Sequence, residues 1–251
     1  VGHRHAHPAH PVTADGRGGG IDRSSHLDQA RQALDRGDLD EAREQLDRHE
    51  RRQQELKRYS IRWIAELLSW IGETEGEAAV EAALRRFGER NLAGRVEPDQ
   101  DWWSVPAEAR AKSVVRAMLT NGADVDVTEL DDEIVLSFRC GTGGWLIDSG
   151  AYEGDDALLT LTEPGPRTFG RDRLPVYCAH CSVNNEMQAV EATGRLTTVE
   201  VPPEQPGEPC VHHVYRRLDD IPAEYYVRIG HRPPDAGSTP PDGGAPPPVS
   251  P

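Results

Sequence analysis

The sequence predicts an α+β fold, in which a helical N-terminal half packs on a C-terminal antiparallel sheet with a cysteine-rich metal site. Three features predict it. Apolar residues recur at helical spacing from Leu27 to Leu119, the period changes to alternation at Asp124, and all four cysteines lie between residues 140 and 210. Periods of 3.6 and 2 separate a helix from a half-buried strand. The organisation that follows is a His/Gly-rich tail over 1–24, a helical region over 25–121, a zinc-binding α+β domain over 122–231 and a Pro/Gly-rich tail over 232–251.

Both tails lack apolar periodicity, and such compositions are expected to stay disordered. His3, His5, His7 and His10 crowd the first tail but are assigned no role, because a flexible segment loses ordering entropy on binding an ion. From Ser25 the run SSHLDQARQALDRGDLDEAREQLDRHERR predicts a helical hairpin, capped at Ser24 or Ser25 and turning at Gly37-Asp38. Its second helix continues through Leu56, Tyr59, Trp63, Ile64, Leu67, Leu68 and Ile71. Trp63 and Trp70, one heptad apart, are expected in the core, since an indole buries a large area. Gly72 and Gly76 are expected to break that helix before a third over EGEAAVEAALRRFGERN, with Ala79, Val80, Ala83, Leu84 and Phe87 on one side. A loop carrying Trp102 and Trp103 leads to a fourth helix from about Pro106 to Leu119. The hairpin resembles a tetratricopeptide half-repeat, but no second copy follows it.

DVDVTELDDEIVLSF alternates around Leu130-Asp131-Asp132 and predicts a two-stranded hairpin. Further strands are expected at ALLTLTE, RLTTVEV and PCVHHVYR, with a helix over SVNNEMQAVEAT. The formal net charge of −15 disfavours a phosphate backbone or an anionic membrane as partner. No run approaches the ~20 apolar residues of a membrane span, and the N-terminal segment lacks the apolar stretch of a signal peptide, so a soluble cytoplasmic protein is expected. Lys57 and Lys112 are the only lysines beside abundant arginine, a bias typical of a GC-rich bacterial genome.

Cys178 and Cys181 form a C-x2-C pair, the usual half of a tetrahedral thiolate site, and Cys140 and Cys210 stand at predicted strand ends that a sheet can bring beside it. This predicts a Zn2+ site on Cys140, Cys178, Cys181 and Cys210. A redox pair and four unrelated thiols stay open as other readings. In CGTGGW, Gly141, Gly143 and Gly144 are expected to adopt a positive-φ turn whose N–H groups steady a sulfur. The same loop lacks the Lys-Ser/Thr ending and the following helix of a phosphate loop. The spacing also fails the nucleobase-deaminase pattern, because Gly-Thr follows Cys140 and Pro175 is not adjacent to Cys178.

Four cysteinates close zinc's coordination, whereas three leave a position for water or substrate. His180, His212 and His213 are candidate substitutes or supporting hydrogen-bond partners, and on a strand only one of His212 and His213 can face the site. Glu186 and His180 are the candidate proton carriers, with Asp148 on the other loop.

FRCGTGGWL with YCAHCSVNNE resembles a group of uncharacterised bacterial zinc-binding proteins that pair a C-G-S-G-G-like loop with a Y-C-A-H-C-like motif. GEPCVHHV is similar to the closing strand of four-vinyl-reductase-type domains, which implies a small-molecule-binding α+β module, although His212 and His213 stand where that pattern carries apolar or aromatic residues. WIAELLSWIGETEGEAAVEAALRRFGE is similar to helices of aminothiazoline carboxylate hydrolase-like proteins. Three functions stay open: a zinc-bound accessory or sensory protein that binds a small molecule, a zinc hydrolase or lyase with three thiolates, and an interaction module using the acidic hairpin over 25–57.

Overall fold

The computed structural model describes residues 24–92 and 104–234, without the side chains of 91 and 92. The tail histidines, Trp102-Trp103 and the chain beyond 234 lie outside the described residues. The protein is α+β, and it divides into two compact units, one ending at Gln53 and the other beginning at Gln54.

The first unit begins with helix α1 (His26–Asp35). Ser25 caps it reciprocally: its hydroxyl accepts the Asp28 N–H at 3.1 Å, while the Asp28 carboxylate accepts the Ser25 N–H at 3.2 Å. Asp38 then starts helix α2 (Leu39–Glu75) by accepting the Glu41 N–H at 3.1 Å. Ala30, Ala33 and Ala42 are buried in the unit, and their small side chains let the two helices approach.

In the second unit α2 runs without a break to Glu75 and stops at Gly76, whose φ of 86° lies in the left-handed region. Gly72 does not interrupt it. That glycine is required by contact, because a Cβ there would sit 2.2 Å from the Leu159 Cδ2. Ile61, Ala65 and Leu68 share this inward face, and the Ser69 hydroxyl accepts the Leu159 N–H at 2.9 Å. Trp63 and Trp70 are not in the core: each is 60 % exposed. Each stands two residues from inward-facing neighbours, which on a helix is about 200° of rotation, so they occupy the opposite face.

Helix α3 (Glu77–Leu92) buries Val80 and Leu84, while Phe87 is largely exposed. Helix α4 (Ala107–Thr120) covers the sheet with Ala107 and Ala111. Its buried Arg110 donates to the carbonyls of Thr197 and Tyr215, fastening helix to sheet.

The main sheet is antiparallel, in the order β1 (Val125–Glu129), β2 (Glu133–Phe138), β6 (Cys210–Tyr215) and β5 (Val199–Val201). Phe138 stands opposite Cys210, and Leu136 opposite His212, which faces Glu200 in turn. A second sheet pairs β3 (Thr160–Leu161) with β4 (Leu174–Pro175). The strands expected over ALLTLTE and RLTTVEV are therefore short, and β4 carried no alternation to announce it. Among the described residues no helix is long and apolar enough to cross a membrane.

Replacing Arg110 with methionine keeps the buried stem but strands two buried carbonyls, so urea denaturation should show a loss of about 1–3 kcal/mol. An unchanged midpoint would remove Arg110 as the fastening between α4 and the sheet.

Candidate metal centre

Cys140 lies two residues beyond the end of β2, and the pairing of Phe138 with Cys210 brings the end of one strand beside the start of its neighbour. The Cys210 side chain acts on the Cys140 sulfur. The Thr142 hydroxyl lies 3.1 Å from the same sulfur, and the N–H groups of Thr142 and Gly144 also point to it. These contacts lower the Cys140 thiol to about 5, with Cys210 the largest cause. Cys210 is correspondingly raised, with Cys140 the largest cause.

The glycines of CGTGG serve close packing rather than a left-handed turn, since none of Gly141, Gly143 and Gly144 has a positive φ. A Cβ on Gly141 would lie 1.9 Å from the Asn121 carbonyl oxygen, one on Gly143 2.9 Å from the Cys178 Sγ, and one on Gly144 2.8 Å from the Cys140 Cβ. Helix α5 (Gly143–Asp148) begins within this loop. The loop is thus pressed between α4 and Cys178.

Cys178 closes a 3-10 turn (Val176–Cys178), and Cys181 opens a π-helical turn (Cys181–Met187) that continues into α6 (Gln188–Thr193). Cys178 and Cys210 are buried and the other two half-buried. Burial raises Cys178, with the Cys140 charge adding to it. Burial likewise raises Cys181, followed by the charge of Glu200. The four sulfurs therefore lie within one another's electrostatic reach. Lys57, which donates to the Asn121 carbonyl, senses Cys140, and Arg171 senses Cys178. Among the described residues no group of three or more His, Cys, Asp or Glu side chains is set at coordinating positions. Thiols have the donor chemistry for a thiophilic ion.

His180 belongs to the cluster. Its Nδ1 lies 2.6 Å from the Tyr177 carbonyl oxygen, which can only accept, so Nδ1 carries the proton and Nε2 presents a lone pair. That Nε2 is 3.6 Å from the Cys181 sulfur. His212 and His213 part company: His212 Nε2 lies 3.8 Å from the Glu200 Oε1, whereas His213 Nδ1 lies 2.8 Å from the Glu133 Oε2. Asp148 accepts the Gly207 N–H at 2.8 Å.

Glu186 does not face the sulfurs. Its Oε1 accepts the Glu200 N–H and an Arg228 Nη2–H, each at 2.6 Å, and its buried Oε2 has no hydrogen-bond partner among the described residues. Arg228 also donates to the Glu200 carbonyl at 2.9 Å and lies over the rings of Phe169 and Tyr225. Glu186 and Arg228 together clamp the backbone of Glu200. The Glu200 carboxylate then meets the Cys181 thiol, and the Asn185 amide at 3.1 Å. Sequence reasoning missed Glu200 and Arg228, and the only signal was an acid in the middle of a short apolar strand. The π-helical turn supplies the geometry, since it turns Cys181, Asn185 and Glu186 together toward β5; such turns often mark functional sites.

Comparison with protein-family models, curated proteins and solved structures returned no match, so the functional reading rests on these residues.

Burial outweighs the Arg228 charge and raises Glu186 to about 8, well above the usual carboxylate range. The folded state then holds this proton more tightly than the unfolded chain. The stabilisation is complete below the unfolded value and is lost as pH rises through about 8. Denaturation at about pH 6 and about pH 9 should show wild type losing more stability than Glu186→Gln over that interval. Equal losses would contradict the assignment.

Proposed function

We propose that the chain is a zinc-binding accessory or sensory protein, in which Cys140, Cys178, Cys181 and Cys210 hold one ion and a small molecule binds beside it. The reading is supported by thiols from three distant segments whose charges act on one another, and by the Thr142 hydroxyl 3.1 Å from the Cys140 sulfur. Such donors are the usual support of a ligating sulfur. Bound zinc supplies a cross-link between the β2–β6 strand ends and the C-x2-C turn, and Lys57 and Arg171 offset the thiolate charge. The small-molecule part draws on two buried polar atoms without hydrogen-bond partners, the His212 Nδ1 and the Glu186 Oε2.

A second reading is a zinc hydrolase or lyase with three thiolate ligands. It is favoured by Glu200, a carboxylate touching the cluster with His212 beside it, as a general base requires. His180 is then the nitrogen available to the ion or to a proton, and Glu186 positions Glu200 through its backbone.

Purified protein should carry about one zinc per chain by elemental analysis. Cys178→Ser should lose the metal and much of the stability, because structural zinc contributes on the order of 10 kcal/mol. Full cooperative folding in a strong chelator would contradict the proposal. Glu200→Gln separates the two readings: zinc retained with ligand binding altered fits the accessory reading, whereas zinc retained with hydrolysis of ester or amide probes abolished fits the enzyme.

A further inference from the structure

The outward face of α2 carries Leu56 (59 % exposed), Tyr59 (69 %), Trp63 (60 %), Leu67 (48 %) and Trp70 (60 %). On a helix these positions fall within about 40° of one line, so they form a single stripe. The opposite face is buried through Ile61, Ala65 and Leu68. A helix apolar on both faces is ordinarily covered on both. Three aromatic rings of about 150–250 Å² each, more than half open, and two leucines leave on the order of 500 Å² of open side-chain surface, the upper end of what a monomer shows.

We propose that this stripe is the interface between two copies of the chain, packed antiparallel through α2 about a two-fold axis near Ile64. Three arguments select a second copy. First, two such stripes hide on the order of 1,000 Å², and the flanking residues bring the total to the ~1,200 Å² at which specific interfaces begin. Second, the spacing is self-complementary. With the axis at Ile64, the side chains of one copy fall in the gaps of the other: Trp63 enters between Trp63 and Leu67, and Tyr59 between Leu67 and Trp70. This is the knobs-into-holes pattern of paired helices and the symmetry of an isologous dimer.

Third, the rim charges select the direction. Arg62 and Glu66 line one edge of the stripe, 40 % and 51 % exposed, and pair within the helix at 2.6 Å. The antiparallel arrangement sets Arg62 opposite Glu66 of the second copy, whereas a parallel one turns this edge toward the other rim of the partner's stripe, where Ser60 and Ile64 carry no charge. Lys57 and Arg58 do not interfere, because Lys57 turns to the Asn121 carbonyl and Arg58 lies over the Trp145 ring. The proposal does not rest on the zinc reading, and the stripe shares only Leu56 with the acidic hairpin over 25–57.

The test is sedimentation equilibrium of the full chain over about 1–100 μM. The expected mass is twice 27.7 kDa at the upper concentrations. Trp63→Glu and Trp70→Glu should each weaken dimerisation at least tenfold with unchanged helical circular dichroism. Because these side chains are exposed, folding is preserved; Trp63→Phe should retain dimerisation and serves as the control. Arg62→Glu alone should weaken the dimer, and Arg62→Glu with Glu66→Arg should restore it. A wild-type monomer at every concentration, including one whose Trp63 emission is blue-shifted by cover from its own chain, overturns the proposal. So does a dimer indifferent to Trp63→Glu.

Discussion

The register of β2 against β6 is the constraint on which the candidate centre depends. Because Phe138 stands opposite Cys210, the chain leaving β2 must pass Cys140 beside the start of β6. A one-residue slip in that pairing would turn Cys210 and His212 to the other face of the sheet. The loop that follows then has to run between the end of α4 and Cys178, and only residues without a Cβ fit there. Gly141, Gly143 and Gly144 therefore belong with the cysteines: a Cβ on Gly143 would lie 2.9 Å from the Cys178 Sγ and one on Gly144 2.8 Å from the Cys140 Cβ.

A second layer of polar contacts supports the first. Glu186 and Arg228 hold the Glu200 backbone from one side, and the Glu200 carboxylate reaches Cys181 on the other. Burying an acid with one oxygen unpaired is costly, and the cost appears as the raised titration of Glu186. Arrangements of this kind link stability to the state of the centre, since any change at Cys181 is felt through Glu200 by the π-helical turn and β5.

Local features were legible in the sequence wherever the signal was itself local. The Ser25 cap, the stop at Gly76 and the alternation of β1, β2 and β6 each involve residues within a few positions of one another. Features set by packing were not. Trp63 and Trp70 promised burial by their size, but the inward face of α2 is the one carrying Gly72, whose smallness admits Leu159, and Ala65, which is buried with Leu146 and Leu158. The glycines after Cys140 suggested a left-handed turn, and their purpose is close approach instead. β4 has two residues and β5 has three, too short for any period to appear. The cysteine spacing pointed to one site, yet among the described residues no three of these side chains stand at coordinating positions; Glu200 escaped notice because a lone acid in a strand acquires meaning only from its neighbours in space.

Helices and sheet belong to one unit through a shared apolar core. Cys178 lies in the apolar core with Leu68, Val80 and Leu84 of the helices and Val199 and Tyr215 of the sheet, so a metal cross-link there would tie both layers. X-ray absorption at the zinc edge on the protein as purified tests this most directly. The account predicts four sulfur neighbours at ~2.3 Å. A coordination shell dominated by nitrogen or oxygen at ~2.0–2.1 Å would contradict it.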